Sequence, residues 1–296
     1  MAEVEAGVAK FVRLSDNSSL GRIDNGRVML MNMRKKNQKG ACNQQMLTLG
    51  TDDVHIHLLR PELVKDTDNK TLDATEDQRA QSFKFDKDRD LYVAAHLFLR
   101  QVLSRYAPVP KKDWQFVSNA YGKPAIANPG YGWLQFNLSH TQGRVACAVA
   151  RNRAVGVDVE QHKCLSDLPS LCRHSFSPPE AEHVLSTHVP DQQQQRFFSY
   201  WTLKEAYIKA RGMGLSLPLQ QFSFVQEVNR NWQLHYAPNF PDDGESWQFS
   251  TSRLGKSHYL AYCVQAGSDS NQALSVQVMD SDSSGNLCWS ETILCL

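Results

Sequence analysis

The sequence predicts an α+β fold of two similar lobes in tandem, each a small antiparallel sheet with helices. Two observations carry this. From residue 51 onward the periodic segments run strand, helix, strands, and then strand, helices, strands. The strand-like segments are short and bounded by turn-forming residues, as antiparallel series are. The 296 residues are enough for two such lobes. Residues 1–50 read as a poorly ordered N-terminal extension, 51–153 as the N-terminal lobe, 154–266 as the C-terminal lobe and 267–296 as a weakly ordered tail. No internal sequence repeat accompanies the suspected pseudo-two-fold arrangement.

In residues 1–50, polar clusters such as LSDNSS and RKKNQKGACNQQ interrupt the apolar residues. RVMLMNM is the one candidate strand there. DVHIHLLRP reads as a strand because Val54, Ile56 and Leu58 alternate with His55 and His57. The histidines are expected on a polar strand face rather than in a metal site, since no Cys/His cluster lies nearby. ATEDQRAQSFKFDKDRDLYVAAHLFLRQVLSRYAP is helical, with Tyr92, Ala95, His96 and Leu99 at helical spacing and Pro108 and Pro110 ending it. DWQFVSNAYGKPAI and WLQFNLSHTQGRVACAVA are strands parted by ANPGYG.

RAVGVDVEQ is a further strand. SPPEAEHVLSTH is a helix opened by a Ser177 cap with proline at its first position. DQQQQRFFSYWTLKEAYIKARG follows as a helix that Gly212 stops. LPLQQFSFV, NWQLHYA, SWQFSTSRL and HYLAYCVQA form an antiparallel series. After residue 267 the composition turns to Ser, Asp, Asn and Gly, with one closing strand expected in ALSVQVM.

Net charge is +1, so no global basic field points to bulk nucleic-acid binding. No apolar run reaches the length of a membrane span, and the N-terminus has no secretory apolar core. The expected compartment is cytoplasmic. Seven scattered cysteines without a C-x-x-C fit reduced thiols better than a disulfide framework or a zinc site.

VGVDVE carries the chemistry. Alternation sends Val155, Val157 and Val159 to one face and Gly156, Asp158 and Glu160 to the other. Two carboxylates on one strand face stand about 7 Å apart and can clamp a hard cation such as Mg²⁺ together with phosphate oxygens. The alternative is an ordinary half-exposed strand. On the later helix, Trp201, Glu205, Ile208 and Lys209 share a face, so Glu205 can add a third carboxylate and Lys209 a phosphate-neutralising cation. The alternative there is a surface Glu205–Lys209 pair. Ser139 and His140 end a strand in NLSH, and both can donate to phosphate. Lys123 sits on the Gly-Pro turn YGKP. Arg79, Lys87, Arg89 and Arg100 put positive charge around the first helical region. No G-x-S-x-G elbow, P-loop or dinucleotide fingerprint is present.

Taken in order, YGKP (121–124), FNLSH (136–140), VGVDVE (155–160) and WTLKEAYIKARGMGLSLPL (201–219) resemble the Sfp-type 4′-phosphopantetheinyl transferases over roughly residues 51–265. The resemblance implies transfer of 4′-phosphopantetheine from coenzyme A to a serine of an apo acyl or peptidyl carrier protein, releasing adenosine 3′,5′-bisphosphate. It implies that Asp158, Glu160 and Glu205 hold Mg²⁺ against the coenzyme A pyrophosphate, which Lys209 contacts. It places His140, with Ser139 and Lys123, at the nucleotide end, and Arg79, Lys87 and Arg89 in the family's less constant basic region. It further implies an active site between the lobes and a monomer. The chemistry makes Glu205, directly or through a metal-bound water, the candidate base, and charge and hydropathy lead us to expect no nucleic-acid or membrane partner. Two rival readings are a Mg²⁺-dependent phosphohydrolase using the same carboxylates and a non-catalytic coenzyme A or carrier-binding paralogue.

Overall fold

The chain divides into two units, Met1–Gln44 and Gln45–Leu296. The structure, a computed structural model, describes residues 11–13, 20–24, 27–30, 46–64, 71–226, 232–241, 244–267, 274–281 and 287–289. In the first unit, β1 (Phe11–Arg13), β2 (Leu20–Asp24) and β3 (Arg27–Leu30) form an antiparallel sheet in that order. β3 lies within the candidate strand RVMLMNM and is paired with β2. The rest of the expected extension, up to residue 45, lies outside the described residues.

The second unit begins with β4 (Asp53–Leu59), α1 (Ala74–Gln81), α2 (Asp86–Leu103), β5 (Phe116–Ser118), β6 (Pro124–Ile126), β7 (Leu134–Thr141), β8 (Arg144–Arg151) and β9 (Val155–Gln161). It continues with α3 (Leu168–Ser175), α4 (Pro178–Leu185), α5 (Pro190–Arg211), β10 (Phe222–Gln226), β11 (Trp232–Tyr236), β12 (Trp247–Leu254), β13 (His258–Gln265), β14 (Ser275–Ser281) and β15 (Leu287–Trp289). The strands form a five-stranded sheet β15-β14-β4-β8-β7, a three-stranded sheet β12-β13-β9, and the hairpins β5-β6 and β10-β11. The fold class is therefore α+β with small, mainly antiparallel sheets. β14, in the expected closing strand, pairs in parallel with β4.

Three cores follow from the alternation of these strands. One packs α2 on β7 and β8, with Leu99, Val102, Leu103 and Trp114 at its centre. A second packs α5 with β10, β11 and β13 around Leu203, Tyr207 and Phe222. The third joins the two sheets face to face through Val54, Ile56, Ala148, Leu260 and the valines of β9. Val155, Val157 and Val159 are all buried there, as their spacing requires. Full burial of each contributes about 1.5–3 kcal/mol.

At one margin the two sheets meet without a backbone ladder. The N–H groups of Val157, Val159 and Gln161 donate instead to side-chain oxygens of Asn137 (2.9 Å), Ser139 (3.2 Å) and Thr141 (3.4 Å) on β7. Alternate β7 residues thus seal one edge of β9, because a buried donor must find an acceptor. This seam holds NLSH beside VGVDVE.

The histidines of β4 do not form the polar face expected of them. His55 and His57 are both buried, and each imidazole bonds to the hydroxyl of Tyr106, at 2.8 and 2.6 Å. Both faces of β4 are covered, so the His/apolar alternation reports two kinds of burial rather than in and out. Burial, then the charges of His55 and Arg105, hold the His57 pKa well below the histidine range; burial also lowers that of His55, against the opposing pull of Asp53. A histidine kept neutral in the fold gives stability that is complete above its unfolded pKa of about 6.5 and is lost as pH falls below it, toward the folded value. Each contributes a slope of up to about 1.4 kcal/mol per pH unit there. Thermal unfolding at pH 7.5 and 5.5 is expected to show a marked fall in Tm at the lower pH, and His57→Leu is expected to flatten that dependence. A Tm that is flat across this range in the parent protein would refute the neutral-pair account. Among the described residues, no helix is long and apolar enough to cross a membrane.

Candidate active site

α5 lies directly on β9, and glycine makes this possible. A Cβ at Gly156 would stand 2.0 Å from the carbonyl oxygen of Ala206 and 2.5 Å from the amide of Ala210. With only hydrogen there, the helix comes close enough to present its side chains to the polar face of β9. Pro190 opens the helix, and Gly212, at φ 67°, closes it by donating its N–H to the Ile208 carbonyl at 2.9 Å.

Most of the C-terminal half of α5 is buried; Trp201, Glu205 and Lys209, four residues apart, form a partly exposed stripe. Ile208, expected on this face, turns into the core beside Tyr207 and Phe222. The Lys209 ammonium donates to Asp158 Oδ1 at 2.6 Å and to Ser139 Oγ at 3.0 Å, and Ser139 Oγ donates to the same carboxylate oxygen at 2.9 Å. One residue each from β7, β9 and α5 thus closes a triangle around the Asp158 carboxylate. The other oxygen of Asp158 is buried and has no hydrogen-bond partner among the described residues.

Glu160 continues the polar face of β9, and the Trp201 indole N–H donates to it at 3.3 Å. Burial and then the charge of Asp158 raise the Glu160 pKa, against Trp201, Lys163 and Lys209. Glu205 behaves alike: burial and Asp158 raise its pKa, Lys209 opposes, and Glu160 adds to the rise. Three carboxylates that repel one another, one of them with a buried unpartnered oxygen, are chemically a donor set that a hard divalent cation would relieve. As the side chains stand, no three His, Cys, Asp or Glu groups among the described residues converge on a single metal position.

His140 is exposed at the end of β7. Partial burial of its ring and the nearby positive charges of His96 and Lys209 lower its pKa. His96 bonds to Glu76 at 2.8 Å and packs against Tyr92, which brings α2 to this side of the site. Lys123 spends its ammonium on the carbonyls of Ala210 (2.8 Å) and Val155 (3.2 Å), and burial lowers its pKa to about 8. Asn119, from the same turn, donates to the Gly212 carbonyl at 2.7 Å. The YGKP turn therefore ties the start of β9 to the end of α5. Arg79 and Lys87 are exposed, and Arg89 is paired with Asp86 and Asp90 at the surface. Arg100 is not part of any basic rim: it is fully buried, bonded to Glu76 and to the Trp114 carbonyl at 2.7 Å.

Lys204, beside Glu205 in the sequence, points the opposite way. Its ammonium is wholly buried, 2.8 Å from Glu180 and bonded to the carbonyls of Leu219 (2.7 Å) and Phe222 (2.6 Å). Glu180 also accepts from Ser177 and from the Phe224 amide at 2.7 Å, so this one pair fastens α4, α5 and β10 together. Helical periodicity cannot supply this buried partner, which lies on another helix. Lys204→Ala is expected to destabilise the fold by about 3–5 kcal/mol, because it strands a buried carboxylate and two carbonyls. A denaturant midpoint within error of the parent would overturn that role.

Comparison with known proteins finds sequence relatives across both halves of the second unit. Residues 66–153 match the family described as 4′-phosphopantetheinyl transferase, N-terminal, and residues 154–263 match the 4′-phosphopantetheinyl transferase superfamily. The chain is 39% identical over 208 residues to 4′-phosphopantetheinyl transferase HetI from Nostoc sp., covering 67% of this chain and 86% of that one. It is 30% identical over 187 residues to 4′-phosphopantetheinyl transferase Sfp from Bacillus subtilis, covering 63% and 79%. A holo-(acyl-carrier-protein) synthase from Bacillus anthracis in complex with CoA (3′,5′-ADP) overlaps 38% of this chain and 94% of its own at 16% identity; at a TM-score of 0.33 the overlap is too loose to inform fold or site.

Proposed function

The chain belongs to the 4′-phosphopantetheinyl transferase superfamily, and from that premise we propose how its own residues carry the transfer. The reaction takes the 4′-phosphopantetheine group from coenzyme A to a serine hydroxyl of an apo carrier protein and releases adenosine 3′,5′-bisphosphate. The observation that supports this site for it is the meeting of Asp158, Ser139 and Lys209 beside Glu160 and Glu205.

The nucleophile comes from the partner, so this chain needs no nucleophilic triad. The bond from the serine oxygen to the β-phosphorus forms as the bond from that phosphorus to the nucleotide oxygen breaks. The serine proton passes to Glu205, the carboxylate of α5 on the stripe that faces Asp158. Lys209 offsets charge on the transferring phosphoryl group and on the leaving bisphosphate. His140 faces the 3′-phosphate. Ser139 holds Asp158 and Lys209 in register, and Lys123 holds β9 against α5. Arg79, Lys87 and Arg89 form an outer cationic rim. Asp158, Glu160 and Glu205 would hold Mg²⁺, which when bound neutralises pyrophosphate charge.

We further read residues 51–153 and 154–266 as two pseudo-symmetric lobes with the site between them. One chain then supplies both sides of the site, and we propose a cytoplasmic monomer. The free thiols at Cys147, Cys164, Cys172 and Cys263 accord with a reducing compartment.

The test is the intact mass of an apo carrier protein after incubation with this protein, coenzyme A and Mg²⁺, with an EDTA control. A gain of one phosphopantetheine unit that EDTA abolishes is the expected result. No gain across fatty-acid, polyketide and peptide-synthetase carriers would overturn the transfer reading, and a gain insensitive to EDTA would overturn the metal.

A further inference from the structure

The three-stranded sheet has two edges, and they are treated differently. The edge at β9 is sealed by Asn137, Ser139 and Thr141. The edge at β12 has no neighbouring strand among the described residues. It opens instead on a cleft of about 390 Å³, bounded by one flank of α5, by Gln226 and Trp232 of the β10–β11 hairpin, and by residues 250–253.

Four consecutive strand residues reach this one cleft. Side chains of a strand alternate between faces, so Ser250, Thr251, Ser252 and Arg253 can share a wall only along the strand edge itself. An edge strand directs half of its N–H and C=O groups away from its partner, which makes it a template for another extended chain. Three rises of a strand span about 10 Å, room for a short extended segment alongside.

The cleft is also charged. Arg196 and Arg253 line it, and no Asp or Glu does so among the described residues. Arg196 is steadied by the His183 carbonyl (2.6 Å) and Ser186 (2.8 Å), and Arg253 by the Lys256 carbonyl (3.0 Å) and the face of Tyr259. Both guanidiniums are thus held in place by neutral groups, with donors left for an incoming carboxylate. The Trp232 and Tyr200 rings, in T-shaped contact at 5.2 Å, give the cleft an apolar wall.

We propose that this cleft docks an extended acidic segment of a partner polypeptide, which adds a strand to the free edge of β12 and sets carboxylates against Arg196 and Arg253. The mode is strand addition: main-chain bonds hold the segment, and the flanking cations select its charge. The site is separate from the Asp158 carboxylate, though α5 serves both. Arg196 and Glu205 are nine residues apart on it, about 14 Å along the axis.

Fluorescence anisotropy on the full chain tests this with three labelled seven-residue peptides. One alternates Glu with Val, one alternates Lys with Val, and one repeats the Glu peptide with alternate backbone amides N-methylated. The Glu peptide is expected to bind saturably and at least tenfold more tightly than either of the others, and to slow hydrogen exchange at the amides of 250–253. Arg253→Glu, an exposed change that spares the contacts of Arg196 with α4, is expected to weaken the Glu peptide tenfold with an unchanged melting temperature. Arg196→Glu combined with it should reverse the preference toward Lys. Absence of saturable binding by the Glu peptide would overturn the proposal. Equal binding of the N-methylated peptide would also overturn it, in favour of a small-anion pocket that reads charge without strand pairing.

Discussion

Asp158→Ala is expected to lower kcat/KM for transfer by on the order of 10³-fold or more, while the protein stays folded. Asp158 is the point on which Lys209, Ser139 and the carboxylates of Glu160 and Glu205 all bear. Its removal takes away a proposed metal ligand and frees the Lys209 ammonium from its set position. The packing loss is small by comparison, because Val157 and Val159 on the opposite face keep their place between the sheets. One oxygen of the deleted carboxylate has no partner to lose, and Lys209, which the other oxygen pairs, is partly exposed and can turn to solvent, so the stability loss is expected to be moderate. The measurement pairs initial transfer rates with a melting curve. Near-parent rates in a folded variant would remove Asp158 from the site. Lost activity with a collapsed melting transition would mean that its role is to hold the fold.

Gly156→Ala is expected to act through geometry alone. The added methyl would overlap the backbone of α5 at 2.0 and 2.5 Å, and a backbone cannot yield as the end of a side chain can. The helix must lift from β9 or the strand must bend, at about 3 kcal/mol or more. A lift of 1 Å would carry Glu205 and Lys209 away from Asp158, and misplacement on that scale lowers rates by about 100-fold. Both a lower denaturation midpoint and a severe loss of kcat are therefore expected. Adding Ala206→Gly should rescue neither, since the obstructing atom is the main-chain oxygen. Near-parent stability and rate in Gly156→Ala would show that the approach of α5 to β9 is not what assembles the site.

The residues that carry the proposed chemistry are legible in the sequence because each belongs to a local pattern. VGVDVE announces a strand with valines on one face and carboxylates on the other, and the three valines are indeed buried together. Trp201, Glu205 and Lys209 announce a helical stripe, and it is the partly exposed one. Gly212 announces the end of that helix and closes it in the left-handed conformation. These readings rest on periods of two and 3.6 residues and on the conformational freedom of glycine, which are properties of short stretches of chain.

What the sequence left open are the meetings between elements. His55 and His57 alternate as a half-exposed strand would, and only the covering of both sheet faces makes them a buried pair on Tyr106. Arg100 looks like one more surface cation until α1 brings Glu76 against it. Ser139 and Lys123 read as phosphate contacts, and the fold adds a structural part for each: Ser139 lies within the seam between two sheets and Lys123 ties β9 to α5. Lys204 and Glu205 are neighbours in the chain, yet helical geometry turns one into the core and the other toward the carboxylates. By itself, then, the sequence determined which strand and which helix bear the charges, and which face of each. Tertiary structure decided which of those charges meet one another and which are absorbed as buried struts. Side-chain direction is set by the local backbone, whereas a partner is set by whichever distant surface the apolar faces bring against it.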